Sequence, residues 1–162
     1  MIGQNVFRDA VRATFEYVDG ALRWRISPSR SVRAGSIAGA ANGRGYTQVQ
    51  WRGRLFVLHK LIYAYHHGWT PEVVDHIDGD TQNNRIENLR AATKAENQHN
   101  AKRRSDNGSG HKNVRKHGDK WQVVIQRNGQ RHHIGTFDDL SAAADAAALA
   151  RQNLHGEFAR HA

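Results

Sequence analysis

Between Val73 and Lys102 the chain reads VVDHIDGDTQNNRIENLRAATKAENQHNAK. Its polar residues are of the types that cleave a phosphodiester. That reaction needs a nucleophilic water, a base to deprotonate it, and a cation to neutralise charge on the phosphate and on the leaving oxygen. His76, with an ordinary imidazole pKa of about 6.5, suits the base at neutral pH. Asp75 and Asn97 are hard oxygen donors, suited to a single Mg²⁺ or Mn²⁺ ion. Such an ion takes few carboxylates and completes its shell with water and phosphate oxygens.

These side chains need elements to hold them. Val73 and Val74 predict a strand that ends at Asp75-His76. Asp78-Gly79-Asp80 and Gln82-Asn83-Asn84 are turn chemistry. Arg85 to Arg90 brings the chain back as a second strand, anchored by Ile86 and Leu89. Thr93 and Glu96 fit a capping box, so a helix starts after Thr93 and carries Asn97 near the end of its first turn. Neighbours on a regular strand point to opposite faces. Asp75 and His76 therefore converge on one phosphate only if the strand ends or twists there. Taken singly, an Asp-His pair is commonly structural, and Asn83, Asn84 and Asn88 are ordinary turn residues. Their order and spacing together are what point to a site.

Composition agrees with a polyanionic partner. The 162 residues carry 24 Lys+Arg against 15 Asp+Glu, a net charge of +9. A pI near 10.5 favours nucleic acid. There is no cysteine, which excludes disulfides, cysteine zinc sites and thiol catalysis. No apolar run is long enough to span a membrane, and there is no secretory segment. The expected location is the cytoplasm, without secretion or membrane association. The charge is uneven: residues 111–133 hold six basic residues and one acid, residues 134–162 two basic and four acidic. One layer of that region therefore faces an anion and the other does not.

Elsewhere, Val6, Phe7, Ala10 and Val11 predict a short amphipathic helix. Asp19-Gly20 predicts a hairpin between FEYV and ALRWR. Residues 26–45, rich in Ser, Arg and Gly, read as an exposed basic loop, either solvated or contacting phosphate. YTQVQW-RG-RLFVL predicts a second hairpin, carrying Arg52 and Arg54. His59 to His66 predicts a helix stopped by Gly68. Residues 105–110 read as a linker. Beyond them come three short strands, with turns near Gly118 and at Asn128-Gly129. An Ala-rich helix follows from Leu140 to Leu154, with Ala143, Ala146, Ala147, Ala150 and Leu154 on one stripe.

The central stretch, with its DH, NNR, ENL and EN, resembles the HNH endonuclease family and its ββα-metal motif, especially the phage and intron-encoded branch. The resemblance implies that His76 is the general base and that Asp75 and Asn97 hold one divalent metal. It implies that Asn88 is the central Asn that pins the loop, and that His59 supports the site or contacts phosphate. Asn97 stands where many relatives have His, which favours weakly bound Mg²⁺ or Mn²⁺ over a tight zinc site. NVR, KW, NGQRHHIGTF and LHGEFA resemble the AP2 DNA-binding domain, a three-stranded sheet packed on one helix. The sequence departs from that family at Asn113, Gln126, His133, Ala147 and Ala148. The resemblance puts Lys112, Arg115, Trp121, Arg127, Arg131 and His133 on or near the DNA-contacting sheet. Arg52, Arg54, Lys102, Arg103 and Arg104 are further candidate DNA contacts.

The expectation is an α+β protein with an HNH nuclease domain over residues 1–104, a linker, and an AP2-like domain over residues 111–162. Its expected activity is metal-dependent hydrolysis of double-stranded DNA, as a homing-type phage enzyme acting in the host cytoplasm. One site on a monomer would nick; a weak homodimer would cut both strands. The alternatives are a non-cleaving, sequence-specific DNA-binding regulator with an inactive HNH fold, and an RNA-directed protein.

Overall fold

The computed structural model describes residues 2–100, 107–127 and 129–159. Lys102, Arg103 and Arg104 lie outside them. The chain divides into two compact units, Met1–Ala92 and Thr93–Ala162.

In the first unit, α1 (Ile2–Thr14) buries Val11 completely and packs Phe7 and Ala10 against the core, while Val6 of the expected stripe is left exposed. β1 (Phe15–Val18) and β2 (Ala21–Trp24) pair antiparallel across Asp19 (φ 46°) and Gly20 (φ 83°). Two consecutive positive φ angles are what a tight hairpin turn needs, and Asp-Gly supplies them. A Cβ on Gly20 would sit 3.0 Å from the Arg85 nitrogen and 3.1 Å from the Asn84 carbonyl carbon, so this turn lies tight against the returning chain. The second hairpin forms as read, β4 (Thr47–Trp51) with β5 (Arg54–Val57), turning at Arg52 (φ 51°) and Gly53 (φ 73°). The stretch expected to be wholly loop contributes a two-residue edge strand, β3 (Ala40–Ala41), paired with β4.

α2 (Leu58–His67) stops at Gly68 in the left-handed conformation, whose N–H donates to the Ala64 carbonyl. Its inner side carries Leu58, His59, Leu61, Ile62, Tyr63 and Ala64. That side packs into a core with Val11, Phe15, Leu22, Trp24, Val49, Trp51, Val74 and Leu89. Phe15 has no exposed surface and sits 4.6 Å from the Trp24 ring and 5.6 Å from the Trp51 ring. β6 (Val73–His76) and β7 (Leu89–Ala92) complete the unit as a two-stranded sheet. The return strand is shorter than the sequence suggests. Ile86–Asn88 winds into a 3-10 turn, and pairing starts only at Leu89. The reason is local: Ile86 N–H is held by the Tyr17 hydroxyl at 3.0 Å, and Asn88 is drawn into the loop that it closes.

In the second unit, α3 (Lys94–His99) opens on the expected capping box: Thr93 Oγ1 accepts from Glu96 N–H, and Glu96 Oε2 accepts from Thr93 N–H. β8 (Val114–His117), β9 (Lys120–Arg127) and β10 (Gln130–Phe137) form one antiparallel sheet in the order β10-β9-β8. α4 (Leu140–His155) is capped by the Asp139 carboxylate on Ala142 N–H. Ala143 and Ala147 are fully buried with Val114 and Val123. Small side chains let the helix backbone approach the sheet. Among the described residues no helix is long and apolar enough to cross a membrane.

Candidate functional site

His76 closes β6 and Asp75 precedes it, and the register stays regular to the end, Asp75 opposite Arg90 and His76 opposite Leu89. The two side chains therefore leave the strand on opposite sides. Val74 and His76 share the side that faces the core. Asp75 takes the other side, where its carboxylate Oδ2 accepts from Arg90 Nε at 2.9 Å and Nη2 at 2.8 Å. Both partners are largely buried, with side-chain exposures of 12% for Arg90 and 5% for Asp75.

His76 is buried in a small polar cluster. Its Nε2 lies 3.0 Å from Asn84 Oδ1, and Asn84 is buried as well. Asn84 Nδ2 donates to the Gln82 carbonyl at 3.2 Å, which turns the amide oxygen toward the imidazole. The His59 ring meets the His76 ring edge-on at 4.8 Å, and Tyr46 packs against both. His59 is buried, and its pKa is lowered to about 3, first by desolvation and then by His76 and Lys60. It is thus a neutral imidazole at working pH. It packs edge-on against His76.

The loop between the strands is tied from inside. Asn88 Nδ2 donates to Asp78 Oδ1 at 2.9 Å and to the Asn83 carbonyl at 2.8 Å, while its Oδ1 accepts from Asp78 N–H at 3.1 Å. Asn83 Nδ2 donates to Asp78 Oδ2 at 2.7 Å. Burial acts to raise the Asp78 pKa, but hydrogen bonds from Asp80 N–H, Asn83 and Asn88, with His76 nearby, outweigh it and hold the carboxyl below its usual range. The loop is also fastened from outside: the Gly45 carbonyl accepts from Thr81 Oγ1 at 2.7 Å and from Gln82 Nε2.

Sequence reasoning took Asn84 for a turn residue and overlooked Arg90 as a partner of Asp75. A signal for Arg90 was present: any antiparallel return that pairs His76 with Leu89 must place Arg90 opposite Asp75. Asn84 had no such signal, because its contact depends on how the loop folds back.

The donor set decides which metal could be held. Among the described residues no group of three or more His, Cys, Asp and Glu side chains could hold a metal ion. The Asp75 carboxylate is a hard oxygen donor of the kind a divalent cation takes, and here it is paired with Arg90. Asn97, on α3 in the second unit, is exposed.

On the second unit's sheet, Arg115 pairs with Gln122, Arg131 with Gln126 and His133 with Val124. Strand alternation puts these three on the face away from buried Val123 and Ile125. All three are exposed, and Arg115 donates to Gln122 Oε1 from Nε at 2.9 Å and Nη2 at 2.7 Å. Trp121 falls on the opposite, helix-facing side, packed against the small core with Lys116 Nζ 5.5 Å from its ring centre. Lys112 is half-buried beside the sheet and Arg127 is exposed at a strand end. Arg52 and Arg54 are exposed on the β4–β5 hairpin of the first unit.

These features fall within a known class. The chain carries a domain of the HNH endonuclease family, whose model, described as HNH endonuclease, matches residues 56–99. That span contains His59, Asp75, His76, Asn88 and Asn97. The chain is also similar to Protein 3.8 of Escherichia phage T7, with 36% identity over 89 residues, covering 54% of this chain and 73% of the phage T7 protein. No solved structure gives a significant match.

The His59 environment carries a pH prediction. Unfolded, this imidazole takes a proton at its model value of 6.5; folded, it does so only near 3. Between those values the unfolded state binds more protons, so stability falls as pH falls, by up to about 1.4 kcal/mol per pH unit from this residue. Urea unfolding of the full chain is expected to show a lower midpoint at pH 5 than at pH 7. His59→Leu should flatten that dependence; an unchanged slope would contradict it.

Proposed function

We propose that this protein is a divalent-metal-dependent endonuclease that hydrolyses phosphodiester bonds in double-stranded DNA, with His76 as the general base. The observation that carries the reading is the buried imidazole at the end of β6, held through Nε2 by Asn84. With the Asn84 amide turned by its own bond to Gln82, Nε2 carries the proton and donates. The basic lone pair then lies on Nδ1. That nitrogen takes a proton from water as the water oxygen bonds to phosphorus. The bond to the 3′-oxygen breaks, and that oxygen is protonated from solvent, leaving 5′-phosphate and 3′-hydroxyl ends.

Asp75 would hold the ion, with Asn97 as the second ligand that the sequence pattern gives it, and Mg²⁺ or Mn²⁺ suits such hard oxygen donors. When bound, such an ion supplies charge neutralisation at the phosphate and the leaving oxygen. Asn88 shapes the loop that carries Asn84. His59 walls the imidazole from the core side.

The second unit's sheet and α4 serve as an AP2-like DNA-binding module, joined through residues 105–110. Its support is the arrangement of three strands on one small-residue helix with Arg115, Arg131 and His133 on the open face. Lys112, Arg127, Arg52, Arg54 and the basic run Lys102–Arg104 add phosphate contacts, which bind without regard to sequence.

One observation favours the alternative of a non-cleaving DNA-binding regulator: Arg90 already neutralises Asp75. Incubation of supercoiled plasmid with the full chain in Mg²⁺ or in EDTA separates the two. The nuclease converts plasmid to the nicked circle in Mg²⁺ alone. Retention of supercoiled plasmid in Mg²⁺ and in Mn²⁺, with DNA still bound, assigns the regulator.

A further inference from the structure

A cavity of about 500 Å³ opens in the first unit, outside residues 56–99. Its walls include Trp24, Val32, Ile37, Gln50, Trp51 and Arg52. The volume falls in the range of small-ligand pockets, roughly 300–1,000 Å³. The indoles are rigid walls, since each is only 6% exposed and both are backed by Phe15. Ile37, in contrast, is 60% exposed at the rim. Arg52 stands with its guanidinium 4.9 Å from the Trp51 ring centre, held there by the left-handed turn at Arg52-Gly53. That ring therefore already receives one flat, delocalised group.

Arg52 lines the cavity, and the chain segments that form its walls carry one sign of charge. Residues 23–54 include seven arginines and no acidic residue. Arg23 and Arg25 brace the backbone, through Gly35 and through Arg12 and Phe15. Arg30, Arg33, Arg44, Arg52 and Arg54 are exposed. An uncharged apolar ligand gains nothing from such a collar. An anion with a flat, apolar-faced, hydrogen-bonding body gains from every part of it.

We infer that this cavity is a nucleotide-binding pocket, which takes one unstacked base between exposed Ile37 and the Arg52 guanidinium that covers Trp51, and places its phosphate on the exposed arginines of the same segments. Aromatic platforms within a basic groove hold single-stranded nucleic acid without strict sequence preference. Gln50 offers both a donor and an acceptor to a base edge. The inference rests on the reading of the chain as DNA-directed, but not on cleavage.

The test uses the full chain in EDTA, so that catalysis plays no part and plasmid nicking stays a separate question. A short single-stranded oligonucleotide carrying one 2-aminopurine is titrated with protein and its fluorescence followed. The base is expected to be quenched on binding, with intact duplex a poor competitor for that signal. Ile37→Glu puts an acid at the rim of an exposed position, and Gln50→Ala removes the edge contact. Ile37→Glu should weaken binding roughly tenfold, as for loss of one base stack. Both variants are checked for native circular dichroism. Full competition by dAMP alone would identify a free nucleotide as the ligand of the same pocket; weak competition would identify a base within a strand. Absence of quenching by the native chain would overturn the inference. So would equal affinity of a natively folded Ile37→Glu variant, or preferential binding of an acidic aromatic peptide.

Discussion

Replacing His76 by alanine is expected to lower the single-turnover rate of the proposed Mg²⁺-dependent DNA cleavage by roughly 10²–10⁴-fold, the span attributed to a positioned general base. The reason is specific to this geometry. His76 is buried, and Asn84 holds its Nε2 at 3.0 Å, so one tautomer presents the lone pair in a set direction. The neighbouring imidazole does not replace it: His59 is inside the core and is a much weaker base, with its pKa lowered to about 3. DNA affinity should stay near that of the native chain, because the proposed contacts lie on the arginine-rich hairpin, the basic run and the second unit's sheet. Cleavage and gel-shift titration on the same preparations read the two quantities separately. Near-native metal-dependent cutting by His76→Ala would remove the base assignment. Joint loss of cutting and binding would point to unfolding, which circular dichroism detects.

The second large effect is on stability. Arg90→Leu leaves the Asp75 carboxylate without the guanidinium that now donates two hydrogen bonds to Oδ2, in a place where the acid is 5% exposed. Breaking a buried pair from one side costs about 3–5 kcal/mol, because the remaining charge keeps its desolvation penalty and loses the two hydrogen bonds that Arg90 gives it. The double change Asp75→Asn with Arg90→Leu removes the stranded charge and should restore much of that loss. Urea unfolding followed by tryptophan fluorescence suits the measurement, since Trp24 and Trp51 lie in the same unit as the pair. A loss below about 1 kcal/mol in Arg90→Leu would show that the pair behaves as a surface salt bridge.

The pair also bears on the metal. A cation that uses Asp75 shares or displaces a group already committed to Arg90. The cross-strand pairing makes Arg90 part of the metal question, and the Mg²⁺ and EDTA comparison is where it is answered.

Much of this molecule was readable one residue after another. The turns at Asp19-Gly20 and Arg52-Gly53, the stop at Gly68 and the box joining Thr93 to Glu96 all formed as the sequence predicts. Each depends on φ preferences or on a side chain reaching a backbone group within a few residues. The stripe of Ala143 and Ala147 was legible for a similar reason, since helical period alone puts them on one side. Residue types and order around His76 also carried the family resemblance, since residues 56–99 match the HNH endonuclease model.

What the residues do to one another was settled only by folding. Arg90 meets Asp75 because the strands pair in one register and no other. Asn84 reaches His76 because the loop closes on Asn88 inside and on the Gly45 carbonyl outside, a contact spanning 36 residues in the case of Thr81. His59 loses its basicity because α2 turns it into the core beside a second imidazole. Trp121 faces its helix because of strand parity. Local conformational preference travels with a residue type and can be read from a string of letters. Burial, charge pairing and the direction of a lone pair are properties of neighbours far apart in the chain, and exist only once those neighbours have met.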